Sequence, residues 1–379
     1  MSSSETSSET LKIKIPAELL PRDGRFGSGP SKVRVEQLSA LVADGTTYIG
    51  TSHRQSTVRD KVGEVRDGLH ALFSLPDGYE VLLGNGGTTA FWDAATFHLI
   101  ADQSQHLSFG EFSSKFATCV TEAPHLKDPQ IIKSDVGSHP IAVADESVDT
   151  YALTHNETST GVMMSIERPA GAKGLVVVDA TSGAGGLLVD ASQFDCYYFA
   201  PQKSFSSDGG LWLAICSPAA IERIESLSAS GRWTPASLDL KVALDNSRLN
   251  QTYNTPALAT IHMLASQIKW MNDNGGLSFS AGRSRTSAEV LYTWAEASPF
   301  ARPFVENPAY RSNVVGTIDF NDDIDASNIA KILRANGIVD TDPYRKLGRN
   351  QLRIAMFPSV DSEDVASLCA CINFIVGNL

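Results

Sequence analysis

Cysteine is sparse in this chain, and its placement points to neither a metal module nor a disulfide framework. The five residues, Cys119, Cys196, Cys216, Cys369 and Cys371, form no CxxC and no zinc-type spacing with histidine. Buried, reduced thiols are the reading that remains. Long apolar runs are missing as well: no stretch approaches the ~20 residues that span a bilayer. The start, MSSSETSSET, has neither a basic n-region nor an apolar h-region, so residues 1–10 read as a polar, disordered tail and the expected compartment is the cytoplasm. Basic residues are in deficit, 31 against 43 acidic, for a net charge of −12. That balance argues against nucleic acid or an anionic membrane as a partner and requires a local basic cluster for any anionic substrate. Two phosphate signatures also fail. After Leu83 the chain reads Gly84-Asn85-Gly86-Gly87-Thr88-Thr89, where Thr89 breaks GxGxxG and no Gly-Lys-Ser/Thr closes a P-loop.

What is present is the pattern of a layered α/β protein. With 379 residues, of which 42% are hydrophobic, the chain can bury a large core and is expected to divide in two. Short apolar runs at Tyr79–Leu83, His106–Phe109, Tyr151–Thr154, Leu175–Asp179, Cys196–Ala200 and Leu211–Cys216 alternate with helical patterns, which argues for a mainly parallel sheet. Ser31 is a candidate cap for a helix over Val33–Ala43, and a second helical pattern covers Val58–Leu72. The character changes after about Trp270. A long helix bearing Arg283 and Arg285, a strand near Ser312–Asp319, a helix near Ala326–Asn336, a strand ending near Ile354 and a helix over Asp361–Gly377 suggest a small α+β unit. The expected organisation is an arm over 11–30, a large domain over 31–275 and a smaller C-terminal domain over 276–379.

Asp179 closes one strand and Lys203 lies just past another, 24 positions on. An acid and a lysine so placed suit a pyridoxal phosphate (PLP) enzyme, in which the lysine holds the aldehyde as a Schiff base and the acid pairs with the pyridine nitrogen. A loop lysine and a helix-capping aspartate would give the same sequence. The Gly84–Thr89 turn, strand then glycines then helix, presents free N–H groups to a phosphate, of a cofactor or of the ligand of a non-enzymatic binding protein, or is simply a tight strand–helix turn without ligand. His155-Asn156-Glu157-Thr158 offers polar side chains at a strand end, or an Asx-type turn. Tyr253-Asn254-Thr255-Pro256 is a polar pair before a proline. Basic residues gather at His53-Arg54 and from Arg345-Lys346 through Arg349 to Arg353. Arg283 and Arg285 read as solvated, whereas Arg353, in the strand-like Leu352-Arg353-Ile354-Ala355, suits a bidentate grip on a carboxylate.

In their order, FGSGP, SHR, GNGGTTAFW, GEFS, HNET, VVVDATSG, APQKSF, YNTP and LRIA resemble the phosphoserine aminotransferases, class V members of the fold-type I PLP enzymes, in an actinobacterial-like form. The resemblance covers about Phe26 to Phe357. It implies the fold-type I PLP-dependent transferase fold, with a mainly parallel seven-stranded sheet in the large domain. It also implies a PLP-dependent transamination between L-glutamate and 3-phosphohydroxypyruvate, and leaves open whether 4-phosphohydroxythreonine is a further substrate. Lys203 would be the Schiff-base lysine, Asp179 the partner of the pyridinium nitrogen, and Phe112 the residue where relatives stack a tryptophan on the ring. Thr158 would bond the phenolate. Gly87, Thr88 and Gln202 would hold the phosphate, and Asn254 and Thr255 would reach the cofactor of the other subunit of a homodimer. Arg353 would bind the α-carboxylate, and His53, Arg54, Arg345 and Lys346 the distal anion. The neighbouring chemistries are alanine– or serine–glyoxylate aminotransferases and cysteine desulfurases. Gln202 before Lys203, where desulfurases place histidine, favours amine transfer.

Overall fold

The computed structural model describes residues 13–379; the expected tail and the first two residues of the arm lie outside them. Helices α1 (Val35–Tyr48) and α2 (Ser56–Leu72) lead to strand β1 (Glu80–Asn85), followed by α3 (Thr88–His98), β2 (Ser104–Ser108), α4 (Glu111–Thr121), β3 (Gln130–Lys133) and β4 (Thr150–Thr154). A short ribbon, β5 (Asn156–Glu157) with β6 (Val162–Met163), precedes β7 (Leu175–Asp179), β8 (Cys196–Phe199) and β9 (Leu211–Cys216). Helices α5 (Pro218–Ala229), α6 (Leu240–Arg248), α7 (Leu258–Asp273) and α8 (Gly276–Ala297) come next. The chain closes with β10 (Ala301–Pro303), β11 (Val315–Phe320), α9 (Ala326–Ala335), β12 (Gln351–Ala355) and α10 (Ser362–Val376).

Seven strands form one sheet in the order β1-β9-β8-β7-β4-β2-β3. Only β9 runs against the others. Strands buried on both faces explain why the sequence shows continuous apolar runs here rather than alternation. In β7, Leu175 and Val177 pack with α3, α5 and α6 on one side, while Val176 and Val178 pack with α2 and α7 on the other. Val176, Val177 and Val178 are each 0% exposed, and each such side chain contributes roughly 2 kcal/mol by leaving water. A second, antiparallel sheet, β10-β11-β12, packs with α8, α9 and α10 around its own apolar cluster.

The arm belongs to that second cluster, because Ile15 and Phe26 are buried within it. Phe26 bonds Val339 and Ala355 through its backbone (3.2 and 3.0 Å). Beyond Phe26 the arm turns through Ser28-Gly29-Pro30 into the large sheet's territory. Lys32, 9% exposed, then sits among Asp23, Asp361 and Asp364 at 3.5–3.6 Å.

Three local expectations need correction. Helix α1 starts at Val35 and continues past Gly45 to Tyr48, with Arg34 at its cap position. Ser31 does not cap it, because its hydroxyl donates to the Lys203 carbonyl at 2.5 Å. Strand β3 escapes the sequence pattern, being four residues long at the sheet edge with every second residue exposed. Arg283 is not a solvated residue: it donates to the Pro358 carbonyl (2.7 Å), pairs with Asp361 (2.5 Å) and lies against Trp270. Arg285 is exposed, as expected. Among the described residues, no helix is long and apolar enough to cross a membrane.

Gly84 faces Trp212 across the β1–β9 ladder, and a Cβ there would overlap the indole. Gly84→Ala should therefore cost about 2–3 kcal/mol of stability through overpacking. Urea unfolding measures this, and an unchanged midpoint would mean that the indole moves aside freely.

Candidate functional site

The carboxyl ends of parallel strands, where ligands bind open α/β sheets, converge here. β1 delivers the Gly86-Gly87 turn, β2 leads to Phe112, β4 leads to Thr158, β7 ends on Asp179, and β8 leads to Gln202-Lys203. Register aligns Thr154 with Asp179 and Asp179 with Tyr198, so the acid sits centrally.

Asp179 is 5% exposed. One carboxylate oxygen accepts from the Thr181 N–H (2.9 Å) and hydroxyl (2.5 Å), and the other from the Trp92 indole N–H at 3.2 Å. The same indole N–H reaches the Tyr198 hydroxyl at 3.0 Å. Burial pushes the Asp179 carboxyl above its ordinary value against the pull of these bonds. Among the described residues it has no ion-pair partner.

Lys203 is 8% exposed, and its ammonium donates to the Ser28 carbonyl at 2.7 Å. The Phe112 ring centroid stands 5.9 Å from Nζ. Burial lowers the amine to about 8; Arg353 adds to this, while Asp179 and Glu157 oppose it. Gly29, at φ +138°, lies so close to the Lys203 stem that any Cβ would overlap it, which gives the glycine of FGSGP its reason. The loop itself is tied down by Gln37, fully buried, whose amide donates to the Ser206 and Met263 carbonyls at 2.9 Å each.

Arg353, on β12, reaches the Thr158 carbonyl at 3.3 Å and lies 5.4 Å from the Tyr344 ring centroid. Its Nε is buried without a partner, and burial lowers the guanidinium from its ordinary value. It too has no carboxylate partner among the described residues. The Thr158 hydroxyl donates to Ser182 at 2.8 Å, and Asn156 holds the same hydroxyl oxygen at 2.8 Å. At α3, Gly87 occupies the cap position, no side chain caps the helix, and the space where a Gly87 Cβ would point is open. The first N–H groups of that helix are therefore available to an anion. Gln202 has a buried side-chain oxygen without a partner.

His53, Arg54, Asn254 and Thr255 form a separate, surface cluster. The Thr255 hydroxyl lies 3.2 Å from His53 Nδ1, Arg54 donates to Gln251 at 2.9 Å, and Asn85 donates to the Asn254 and Thr255 carbonyls at 3.3 Å. Burial, then the neighbouring Arg54, lowers the His53 imidazole. None of these side chains bonds Lys203, Asp179 or Arg353. The Arg345 side chain makes no hydrogen bond or ion pair among the described residues, whereas Lys346 is paired with Glu111 at 2.5 Å. Arg349 is committed to buried Asp319 and stacks on Phe304. Sequence reasoning gave no role to Trp92, Tyr198, Thr181, Ser182, Ser28 or Glu157. The signal for Trp92 was its spacing, one helical turn after the Gly86-Gly87-Thr88 cradle.

A buried carboxylate without a cation, a buried amine without an acid, an unpaired guanidinium and an uncapped helix N-terminus match the charges of PLP and an amino acid. The comparisons agree. The aminotransferase class-V family model matches residues 126–341. A phosphoserine aminotransferase of a Nocardioides species is 60% identical over 98% of this chain and 100% of its own length. That of Rhodococcus jostii is 60% identical over 96% of this chain and 98% of its own. Among solved structures, the phosphoserine aminotransferase of Cytophaga hutchinsonii superposes with a TM-score of 0.86 at 24% identity, over 93% of this chain and 99% of that one. With identity near 60% along nearly its whole length, the chain belongs to the phosphoserine aminotransferase family of the class V aminotransferases.

Proposed function

We propose that this PLP-dependent transaminase exchanges an amino group between L-glutamate and 3-phosphohydroxypyruvate through Lys203 and Asp179, with Arg353 orienting the amino acid. The observation that carries this reading is the unpaired burial of Lys203 and Asp179 at adjoining strand ends. PLP, when bound, supplies the aldehyde that takes up the amino group and an electron sink for the charge developed at Cα. Lys203, lowered by burial to about 8, is far more readily deprotonated than an exposed lysine, which suits both attack as a free amine and removal of the Cα proton. Asp179 would hold the pyridine nitrogen in its protonated form. Gly87, Thr88 and Gln202 would bind the phosphate, Thr158 the phenolate and Phe112 the ring face. Arg353 would fork onto the α-carboxylate and fix which Cα–H bond faces Lys203.

We place the second half of each site on a partner copy. Val35, Leu38 and Val42, spaced along α1 at 65, 45 and 80% exposure, form an apolar face. Ile49, Leu249 and Tyr253 extend it towards His53, Arg54, Asn254 and Thr255. A homodimer covering this face would carry that basic cluster to the partner's Lys203. His53 and Arg54 would then bind the γ-carboxylate of glutamate or the phosphate of phosphoserine, and Asn254 and Thr255 the cofactor phosphate. Lys346 and Arg345 would add positive charge to the distal anion's surroundings. The same recognition extends to 4-phosphohydroxythreonine, which pairs an α-amino acid with a distal phosphate. We place the enzyme in the cytoplasm, in keeping with five free thiols.

Three measurements test these roles. In the cofactor-free protein, acylation of Lys203 followed by mass spectrometry should rise with pH around a midpoint near 8. The neutral amine is the nucleophile, so Arg353→Gln, which removes a repelling charge, should move that midpoint upward; an unmoved midpoint would remove Arg353 from the amine's surroundings. In half-reactions monitored by absorbance, Arg54→Ala should raise KM for glutamate and phosphoserine about 10- to 100-fold and leave alanine almost unchanged. Equal losses on all three donors would make Arg54 structural. Equimolar Lys203→Ala and Arg54→Ala chains, unfolded and refolded together, should recover about a quarter of wild-type activity, because half the dimers pair one intact site with one doubly defective site. Activity no greater than that of the separate variants would show that sites are not shared.

A further inference from the structure

Glu157 is fully buried at 0% exposure, and no lysine, arginine or histidine pairs with it among the described residues. What holds its charge is the start of α4. One carboxylate oxygen accepts from the Phe112 N–H (3.1 Å), the Ser113 N–H (2.9 Å) and the Ser113 hydroxyl (3.0 Å). The other accepts from the Ser159 hydroxyl (2.7 Å) and N–H (3.2 Å). Helix α4 begins after Gly110, which has no side chain to cap it, and a Cβ at Gly110 would overlap the Glu157 side chain. The cap therefore comes from another element, across 45 residues of sequence, and it satisfies N–H groups that would otherwise be orphaned.

We propose that Glu157 is a positioning residue for the cofactor, holding the Phe112 ring in front of Lys203 by capping α4 from the β5 ribbon. The proposal rests on the reading of Lys203 and Phe112 given above. Phe112 is the second residue of α4, and its ring stands between the Lys203 amine at 5.9 Å and Tyr344 at 6.1 Å. The amide that receives the carboxylate is its own, so a shift of the cap moves the ring. On the other side of Glu157, the next residue is Thr158, so one carboxylate ties together the two segments read as contacting the ring face and the phenolate. Its charge also favours a protonated nitrogen at Lys203, a second anionic influence beside Asp179.

An amide of the same shape separates these effects from plain packing. Glu157→Gln removes the charge and turns an NH2 group toward N–H donors. The variant should still show the visible band of lysine-bound PLP, bind PLP about 10- to 100-fold more weakly, and titrate that band at a pH about one unit lower. Combined with Phe112→Ala, its loss of PLP affinity should be less than additive, because both act through one ring. A cap serving stability alone would lower the melting temperature of the cofactor-free protein and leave the titration where it is in the wild type; that result, or fully additive losses, would overturn the proposal. Should Glu157→Gln fail to fold, Ser159→Ala removes a single donor to the carboxylate and should weaken PLP binding several-fold, and an unchanged affinity would refute the role. A wild-type protein that takes up PLP without any visible band would instead refute the assignment of Lys203.

Discussion

Lys203, Asp179 and Arg353 are taken out of bulk water without being allowed to neutralise one another. Burying a charge costs several kcal/mol unless something replaces its hydration, and inside the protein the cheapest replacement would be an ion pair. The structure blocks that collapse by pinning each group to neutral partners. The Ser28 carbonyl holds the amine, Thr181 and Trp92 hold the carboxylate, and the Thr158 carbonyl holds the guanidinium. The free energy left unspent in this way is available to a ligand that brings the complementary charges.

That arrangement depends on the sheet. Five strand ends open toward the same edge, so residues far apart in sequence arrive side by side without long loops. The double-faced core under them is what makes the edge rigid: alternate side chains of β7 and β8 lock into helices on opposite sides. Above the edge, the Lys203 loop cannot drift, because Gln37 bonds it to α7 from below.

Much of this was legible from residue order, for reasons the structure makes plain. A β-branched run ending on Asp179 reads as a buried strand, and an acid at its end is conspicuous because nothing else in the run is polar. Lys203 after Pro201-Gln202 stands out in the same way. Strand β3 was illegible because an edge strand has only one covered face, so Gln130-Ile131-Ile132-Lys133 lacks a run. Ser31 looked like a cap because cap chemistry is local, yet its hydroxyl was taken by a loop 172 residues away. Arg283 looked solvated for a related reason: the turn at Pro358–Asp361 that covers it is 75 or more residues distant. Tyr198 lay inside the apolar run Cys196–Ala200, Trp92 drew no role, and Glu157, though inside a motif with Asn156 and Thr158, had no visible partner because α4 lies upstream.

The pairing of the arm has a consequence for biosynthesis. Phe26 is synthesised long before Val339 and Ala355, the residues to which its backbone bonds. Until β12 emerges, Ser28 has no fixed place, and the carbonyl that receives the Lys203 amine is not in position. Domains tend to fold as units during synthesis, and here the reactive lysine's surroundings are completed only after β12 has been made. A nascent chain that lacks β12 thus carries an ordinary lysine, and the amine becomes a softened nucleophile only once the arm is seated.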